Sequence, residues 1–260
     1  MATWPSWPDN PYYLGREKDR LCQPMTLCFR VAGVDMKAFE KSCDTINPLY
    51  QQFRQEGKIK NPRENVLVFR HIVDGVLHFN STRIIQKNPV SGEEKTQAEL
   101  EAREQVFELF YFLKENIDGF QNSQLLSTAM EIGVRESRMI EGEYVLTQED
   151  LMACTKFEDG VVCCNYDIDI HNPEGSGTSH YFFKDGEYYT IPYRCLIPRG
   201  SRNLSWWPDG ASPPPMKPRR PTGSCPSAAA WARPLESPPP GAERKTPMFR
   251  ILICGDTGRN

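Results

Sequence analysis

Apolar runs predict strands in the first third of the chain. Residues 26–34, TLCFRVAGV, form a mostly apolar run that is typical of a buried strand. Two further strand-like runs, 65–73 and 76–85, flank Asp74-Gly75, a dipeptide that favours a tight hairpin turn. The pattern therefore predicts a hairpin and one additional buried strand.

A helical period follows in the middle of the chain. Spacings of three and four residues place six apolar side chains on one stripe: Ala98, Ala102, Val106, Phe110, Leu113 and Ile117. Thr96 and Glu99 have the spacing of a capping box, which predicts the start of this helix, and Gly119 predicts its end. We expect a second helix over residues 123–132.

Short elements are predicted for the remainder of the patterned region. Residues 134–146 have an extended pattern, and Thr147 with Asp150 forms another capping box, which predicts a short third helix. From residue 161 onward, three strand-like runs follow one another: VVCCNYDIDIH, SHYFFK and EYYTIPYRCLIP. Together these elements predict an α+β fold class with helices, a mixed or antiparallel sheet and no internal repeat.

Both ends of the chain differ from this middle part. Residues 205–245 hold 11 of the 22 prolines and follow neither a helical nor a strand period. Such a segment buries too little apolar surface to offset the entropy of ordering it, so we expect disorder there. The opening residues, MATWPSWPDN, lack a pattern in the same way. We therefore divide the chain into an aberrant start at 1–13, a folded domain at 14–204 and a disordered Pro-rich tail at 205–260.

Composition narrows the classes of function. The net charge of −3 gives no global attraction to nucleic acid or to acidic membranes. No apolar run reaches the roughly 18 residues of a membrane-spanning helix, and no secretory leader is visible, which favours the cytoplasm. The nine cysteines include no C-x-x-C pair, so neither a zinc site nor an iron–sulfur motif is indicated. We expect buried, reduced cysteines, with a Cys163-Cys164 redox pair as the alternative.

Three polar clusters are candidates for chemistry. In the first, Arg135-Glu136-Ser137-Arg138, strand alternation predicts that Arg135 and Ser137 share one face and that Glu136 and Arg138 share the other. Two arginines this close together can clamp a carboxylate or a phosphate through paired N–H donors. A solvated surface with a local ion pair is the alternative interpretation of the same pattern.

The second cluster is Asp167-x-Asp169-x-His171, whose spacing predicts that all three side chains lie on one strand face. A histidine beside carboxylates can transfer a proton near neutral pH; a metal site and an ordinary surface strand are the other interpretations. The third cluster is Tyr193-Arg194, for which a structural role is the default interpretation.

Five longer motifs resemble one protein family. They are LCQPMTLCFRVAGVD at 21–35, FNSTRI at 79–84, VRESRMIEGEYVLTQEDL at 134–151, DIDIHNPEG at 167–175 and YTIPYRCLIPRGSRNL at 189–204. In this order they are similar to the FAD-dependent oxidoreductases allied to fumarate reductase flavoproteins and to the flavin subunit of heterodisulfide reductase. The resemblance implies a Rossmann-type FAD-binding domain interrupted by a substrate or cap domain, and residues 14–204 would form mostly the latter.

The same resemblance implies an active site. The substrate would lie against the flavin ring beneath the cap, where Arg194 would hold an anionic substrate or donate a proton and His171 would orient it or stabilise charge. Further side chains implied for this cleft are Gln23, Thr26, Asn80, Arg135, Glu136, Arg138 and Tyr193. The expected function is transfer of hydride or electrons between FAD and a small anionic substrate. An electron-transfer partner protein is expected, but no nucleic-acid or membrane partner.

Departures from the family pattern favour a second hypothesis, a non-catalytic cap-domain fragment. The dinucleotide fingerprint G-x-G-x-x-G occurs nowhere in the 260 residues and would lie upstream of Met1, so we expect this chain to bind no FAD by itself. Relatives often carry a 4Fe-4S cluster, but the sequence indicates no ligands for one, and we assign no residue as a metal ligand. A third hypothesis, an SH3-type ligand, is based on PPPMKPRRP in the tail.

A shifted reading frame accounts for both unpatterned ends. If the true codons start at the third base of each printed codon, the single codons of Trp and Met force some of the residues. Residues 206–208, Trp-Trp-Pro, then encode Val-Ala, and Trp231-Ala232 encodes Gly. The same offset produces Ala at both Trp-Pro pairs near the start. Because the forced residues match what the family has at these places, we expect residues 1–13 and 205–260 to be out-of-frame translations.

Overall fold

A computed structural model describes residues 12–200, so the expected disorder and frame shift of the two ends lie almost entirely outside the described residues. The strands are β1 Tyr12–Leu14, β2 Phe29–Ala32, β3 Val68–Arg70, β4 Leu77–Phe79, β5 Gln124–Thr128, β6 Arg138–Ile140, β7 Gly160–Cys164, β8 Ile168–His171, β9 Thr178–Tyr181 and β10 Tyr189–Pro192. The helices are α1 Met36–Ser42, α2 Ile46–Gln55, α3 Gly92–Asn116 and α4 Gln148–Met152, with 3-10 turns at Cys43–Thr45 and Tyr193–Leu196. All described strand pairs are antiparallel, which confirms the α+β fold class.

The larger part of the fold is built on a four-stranded sheet in the order β3-β4-β2-β5. Its central pair sets Phe29 of β2 opposite Phe79 of β4, and the two rings stack with their centroids 4.7 Å apart. The Asp74-Gly75 turn lies between β3 and β4, with Gly75 at φ +71°, a left-handed conformation that glycine adopts without strain. The predicted hairpin is therefore confirmed, although its strands are only three residues long.

The long helix α3 provides much of the core that covers this sheet. All six residues of the predicted stripe are buried, and they belong to one apolar cluster with sheet residues such as Phe79. The predicted start of the helix is wrong: Ser91, not Thr96, caps it by accepting a hydrogen bond from the Glu94 N–H. The Thr96 hydroxyl donates to the Gly92 carbonyl inside the first turns. Ser91 and Glu94 have the same S-x-x-E spacing that was assigned to the later pair.

The helix predicted over residues 123–132 is wrong, because Gln124–Thr128 form the edge strand β5 beside β2. Hydrogen bonding to the open edge of β2 decides the conformation of this segment, and local pattern does not reveal it. Helices α1 and α2, which the pattern did not predict, complete the same core. Tyr50 of α2 contacts Phe112 of α3 edge-on, with centroids 5.8 Å apart.

A smaller apolar core lies in the C-terminal part of the described chain. It consists of Leu146, Leu151, Cys164, Ile168, Tyr189, Ile191, Cys195 and Leu196. Strand pairs β7-β10 and β8-β9 contribute to it, and α4 has the predicted capping box, with Thr147 and Asp150 bonded reciprocally. Within residues 12–200, no helix is long and apolar enough to cross a bilayer.

Candidate functional site

The first three family motifs meet at one end of the main sheet. Because β2 runs antiparallel to both β4 and β5, the residues that precede β2 lie beside those that follow its two neighbours. Met25 exchanges backbone hydrogen bonds with Ile84, and Thr26 exchanges them with Gly133. Motifs that are far apart in the sequence are therefore side by side in space.

Predicted site residues bond to one another at this end of the sheet. Glu136 accepts a 2.7 Å hydrogen bond from the Gln23 N–H, and Arg135 donates to the Thr26 hydroxyl oxygen at 3.1 Å. Burial raises the pKa of the Glu136 carboxyl, although the bond from Gln23 opposes this effect. Oε1 of Gln23 also accepts a 3.4 Å bond from the His171 N–H. The structure thus brings His171 next to Gln23, and Gln23 lies in the same group of contacts as Thr26, Arg135 and Glu136.

His171 is the last residue of β8 and its side chain is buried. Its Nε2 lies 3.3 Å from Oδ2 of Asp169, and its Nδ1 lies 3.0 Å from the hydroxyl of Thr178 on the paired strand β9. With the proton on Nε2, the ring donates to the carboxylate and accepts from the Thr178 hydroxyl. Both ring nitrogens are engaged, so the imidazole is held in one tautomer and one orientation.

The Asp169–His171 pair consists of an ionised carboxylate and a neutral imidazole. Burial lowers the pKa of His171, and the positive charges of Arg135 and Arg83 add to this effect against the hydrogen bond with Asp169. Burial opposes ionisation of Asp169, but its hydrogen bond with His171 and the positive charge of Arg135 keep the pKa of that carboxyl below its usual range. The pair therefore carries negative charge beside two arginines at neutral pH.

Acidification is expected to destabilise the protein through His171. The folded state holds this proton less tightly than the unfolded chain does, so the unfolded state binds more protons once the pH falls below about 6.5. The free energy of unfolding should therefore decrease as the pH falls below about 6.5, until His171 is protonated in the folded state as well. Urea unfolding at several pH values measures this slope, which should flatten in His171→Gln and persist in His71→Gln. An unchanged slope in His171→Gln contradicts the prediction.

Two buried arginines that the motif analysis did not single out lie in the same region. Arg83, with 1% of its surface exposed, donates to Glu64 at 3.2 Å and to the Gly177 carbonyl at 2.9 Å. Arg63 is 8% exposed, and its backbone N–H donates to Oδ1 of Asn61 at 3.1 Å. Arg83 could have been found, because it belongs to the FNSTRI motif and follows a buried strand. The local pattern around Arg63 carries no comparable signal.

Arg194 and Tyr193 lie apart from the contacts of His171. The Arg194 guanidinium pairs with Asp159 at 3.3 Å and lies over the Tyr144 ring, 4.8 Å from its centroid. Tyr193 is exposed, and its N–H donates to the Asp159 carbonyl. Among residues 12–200, neither shares a hydrogen-bond or ion-pair partner with His171.

The first polar cluster does not follow the predicted alternation. Strand β6 begins only at Arg138, so Arg135 and Glu136 precede it and both bond to residues 23–26. Arg138 lies elsewhere, with its guanidinium 5.8 Å from the centroid of the Tyr12 ring. Tyr12 belongs to strand β1, which begins two residues before residue 14, the predicted start of the folded domain. Strand alternation therefore does not apply to Arg135 and Glu136, because neither residue belongs to a strand.

Two further predicted residues, Asn80 and Asp167, differ in whether their side chains have a hydrogen-bond partner. Asn80 directly follows β4, and its buried Oδ1 has no hydrogen-bond partner in the part of the chain that the structure describes. Asp167 precedes β8, and its Oδ1 accepts a 3.3 Å hydrogen bond from the backbone N–H of Phe183. Phe183 lies two residues after the end of β9. In the described residues, no three His, Cys, Asp or Glu side chains come together as a possible metal site.

The seven described cysteines are all free thiols. Burial raises the pKa of Cys22 and of Cys195 to about 12, which keeps both thiols protonated and unreactive at neutral pH. Cys163 is exposed and the adjacent Cys164 is buried, so only one of the two meets solvent. Within residues 12–200 all seven cysteines are free, as expected. Only three of them, Cys22, Cys164 and Cys195, are buried, so the expectation that the cysteines are generally buried is wrong.

The described residues provide groups for a small substrate and not for a dinucleotide. Every sheet in residues 12–200 is antiparallel, and this part of the chain has no parallel βαβ unit with a Gly-rich turn to hold a pyrophosphate. Buried arginines, a carboxylate and an oriented imidazole can instead bind and polarise a small anionic molecule. The dinucleotide part of a flavin cofactor therefore does not fit here.

Comparison with known proteins identifies one family. The family model described as FAD dependent oxidoreductase matches residues 7–206, which includes every residue of the candidate site. No curated protein and no solved structure matches the chain. The matched range covers about three quarters of the 260 residues, so the assignment applies to the folded part as a whole.

Proposed function

Because the chain belongs to the FAD dependent oxidoreductase family, we propose that residues 14–204 bind the substrate of a flavin-linked redox reaction. The substrate is a small anionic molecule that exchanges hydride or electrons with FAD. A bound flavin supplies the redox chemistry, whereas the protein positions and polarises the substrate.

The observation that carries this proposal is the buried charge between the two apolar cores. Arg83 extends from the end of the main sheet to the carbonyls of Asn172 and Gly177 in the loop between β8 and β9. Asp169 and His171 lie on the strand that leads into this loop. Burying charged groups is costly unless they are paired or used, and such groups cluster at functional sites.

The contacts favour distinct roles for these side chains. Arg135 and Arg83 place positive charge where an anionic substrate would lie, and Asp169 lies within the same electrostatic group. His171 orients the carboxylate of Asp169, because both of its ring nitrogens already have partners. Arg194 is the substrate-binding or proton-donating arginine that the family resemblance implies, and it would act from its position beside Asp159 and Tyr144.

The alternative function is a non-catalytic cap that binds no flavin. The exclusively antiparallel strand pairing of residues 12–200 favours it, since this part of the chain contains no dinucleotide-binding unit. The electron-transfer partner protein and the cytoplasmic location are part of the proposal for the flavin-loaded protein.

An absorbance spectrum of the purified 260-residue protein, titrated with FAD, separates the two functions. We expect no stoichiometric flavin in this chain, because it contains no G-x-G-x-x-G sequence. Fusion to a dinucleotide-binding segment of the same family should give a protein that shows flavin absorbance bands. Small organic acids that act as substrates should then bleach these bands by reducing the flavin, or bring them back by reoxidising it. A yellow unfused chain contradicts the first expectation. A flavin-loaded fusion that no acid of the panel reduces or reoxidises contradicts the proposed function.

A further inference from the structure

Arg63 is a buried arginine whose side chain has no partner in the described protein. The residue is 8% exposed, yet its guanidinium makes no hydrogen bond or ion pair with any of residues 12–200. Its guanidinium nitrogens nevertheless keep some contact with solvent. The guanidinium is therefore not sealed from solvent, although only 8% of the residue's surface is exposed.

The backbone around Arg63 is fixed, so this placement does not result from a loose loop. The Arg63 carbonyl accepts a 3.1 Å hydrogen bond from the hydroxyl of Tyr50, which is fully buried. The Asn61 side chain donates to the Ser81 carbonyl at 2.8 Å and accepts from the Arg63 N–H. These bonds hold residues 61–63 beside the residues that follow β4, and Arg83 is one of those residues.

Charges of both signs surround Arg63. Two arginines, Arg83 and Arg135, and two carboxylates, those of Glu64 and Asp169, act on it electrostatically. Burial, and then the repulsion by Arg135 and Arg83, lower the pKa of Arg63 to about 10, which still leaves it cationic at neutral pH. A buried arginine without a direct hydrogen-bond partner costs free energy, and an anionic ligand bound to it would offset that cost.

A second unused donor lies next to it. Nε of Arg83 is sealed from solvent and has no hydrogen-bond partner in residues 12–200, although the terminal nitrogens of the same guanidinium are bonded. Glu64, the residue adjacent to Arg63, accepts one of those bonds, which places the two arginine side chains in one neighbourhood. Arg83 therefore has one N–H without a partner in the same neighbourhood, but this N–H is sealed from solvent.

We propose that Arg63 binds a carboxylate group of the substrate through the two-donor fork of its guanidinium. This assignment rests on the proposed function for the identity of the site. A planar carboxylate accepts two parallel N–H bonds from such a fork and brings only one negative charge. A phosphate would bring nearly two negative charges at neutral pH to a group that already contains the carboxylates of Glu64 and Asp169.

Calorimetric titration of the 260-residue protein with acetate, succinate and inorganic phosphate tests the proposal. We expect at least one carboxylate to bind, with an affinity about 30-fold weaker in Arg63→Met, since an essential charge-assisted contact is lost. Arg70→Met is the matched control, because Arg70 is an exposed arginine paired with Glu40, and its affinity should equal that of the wild type. Arg63→Lys keeps the charge without the fork and should bind with intermediate affinity.

Thermal unfolding without ligand separates binding from a structural role. Removal of a buried charge without a direct hydrogen-bond partner should raise the melting temperature of Arg63→Met by about 2–4 °C, whereas a structural arginine would lower it. A lower melting temperature in both Arg63 variants overturns the proposal. So does carboxylate binding that survives Arg63→Met, a preference for phosphate, or the absence of any binding. Carboxylate binding is measured without flavin, whereas the redox proposal is tested on the flavin-loaded fusion. The two proposals can therefore fail independently of each other.

Discussion

Arg83→Met is expected to lower the free energy of unfolding by about 3 kcal/mol, because it removes several charge-assisted bonds at once. Arg83 is 1% exposed and donates to Glu64 at 3.2 Å, to the Gly177 carbonyl at 2.9 Å and to the Asn172 carbonyl at 3.4 Å. Methionine fills similar volume but satisfies none of these acceptors. Urea unfolding followed by circular dichroism measures the loss.

The control for this substitution is Arg70→Met on β3. Arg70 is exposed and pairs with the exposed Glu40, so we expect a change below about 0.5 kcal/mol. Hydrogen exchange adds a local measurement, since the amides of the loop between β8 and β9 should lose protection in Arg83→Met. Equal stability of the two variants would show that Arg83 does not connect the two cores. The opposite signs expected for Arg63 and Arg83 make the two substitutions a matched pair.

Alanine at His171 or at Arg194 is expected to reduce turnover of the flavin-loaded fusion protein by about 100-fold, as for loss of one positioned electrostatic group. Flavin content should change little, because neither residue lies in a dinucleotide-binding unit. His171 acts within the group of Asp169 and the buried arginines, and Arg194 acts from its own position beside Asp159. Turnover and flavin absorbance are measured on the same preparations.

Arg199→Ala serves as the control for both variants, because Arg199 is exposed and pairs with Glu141 on the surface. Its turnover should stay near that of the wild type. Near-normal turnover in His171→Ala would remove that residue from the site, and the same result in Arg194→Ala would remove the arginine implied by the resemblance. A parallel loss of flavin in either variant would instead indicate a role in cofactor binding.

Locally encoded features could be predicted from the sequence because neighbouring residues determine them. The Asp74-Gly75 turn requires a positive φ that glycine provides, and the Thr147–Asp150 capping box closes within one turn of α4. The stripe on α3 was recognised because its period equals that of a helix, even though the start of the helix was misplaced from Ser91 to Thr96. Family motifs located His171 and most of its neighbours without revealing their contacts.

Long-range pairing decided the remaining features. Residues 124–128 form a strand because the edge of β2 supplies hydrogen-bond partners, which no local pattern encodes. Antiparallel pairing on both sides of β2 brings Gln23, Arg83 and Arg135 together although they are distant in sequence. Arg63 belongs to no motif, and only its burial and its lack of a partner distinguish it from a surface arginine. The sequence by itself thus determined the family, the turns and the core periodicity, whereas tertiary packing decided which charges are buried and which remain available to a ligand.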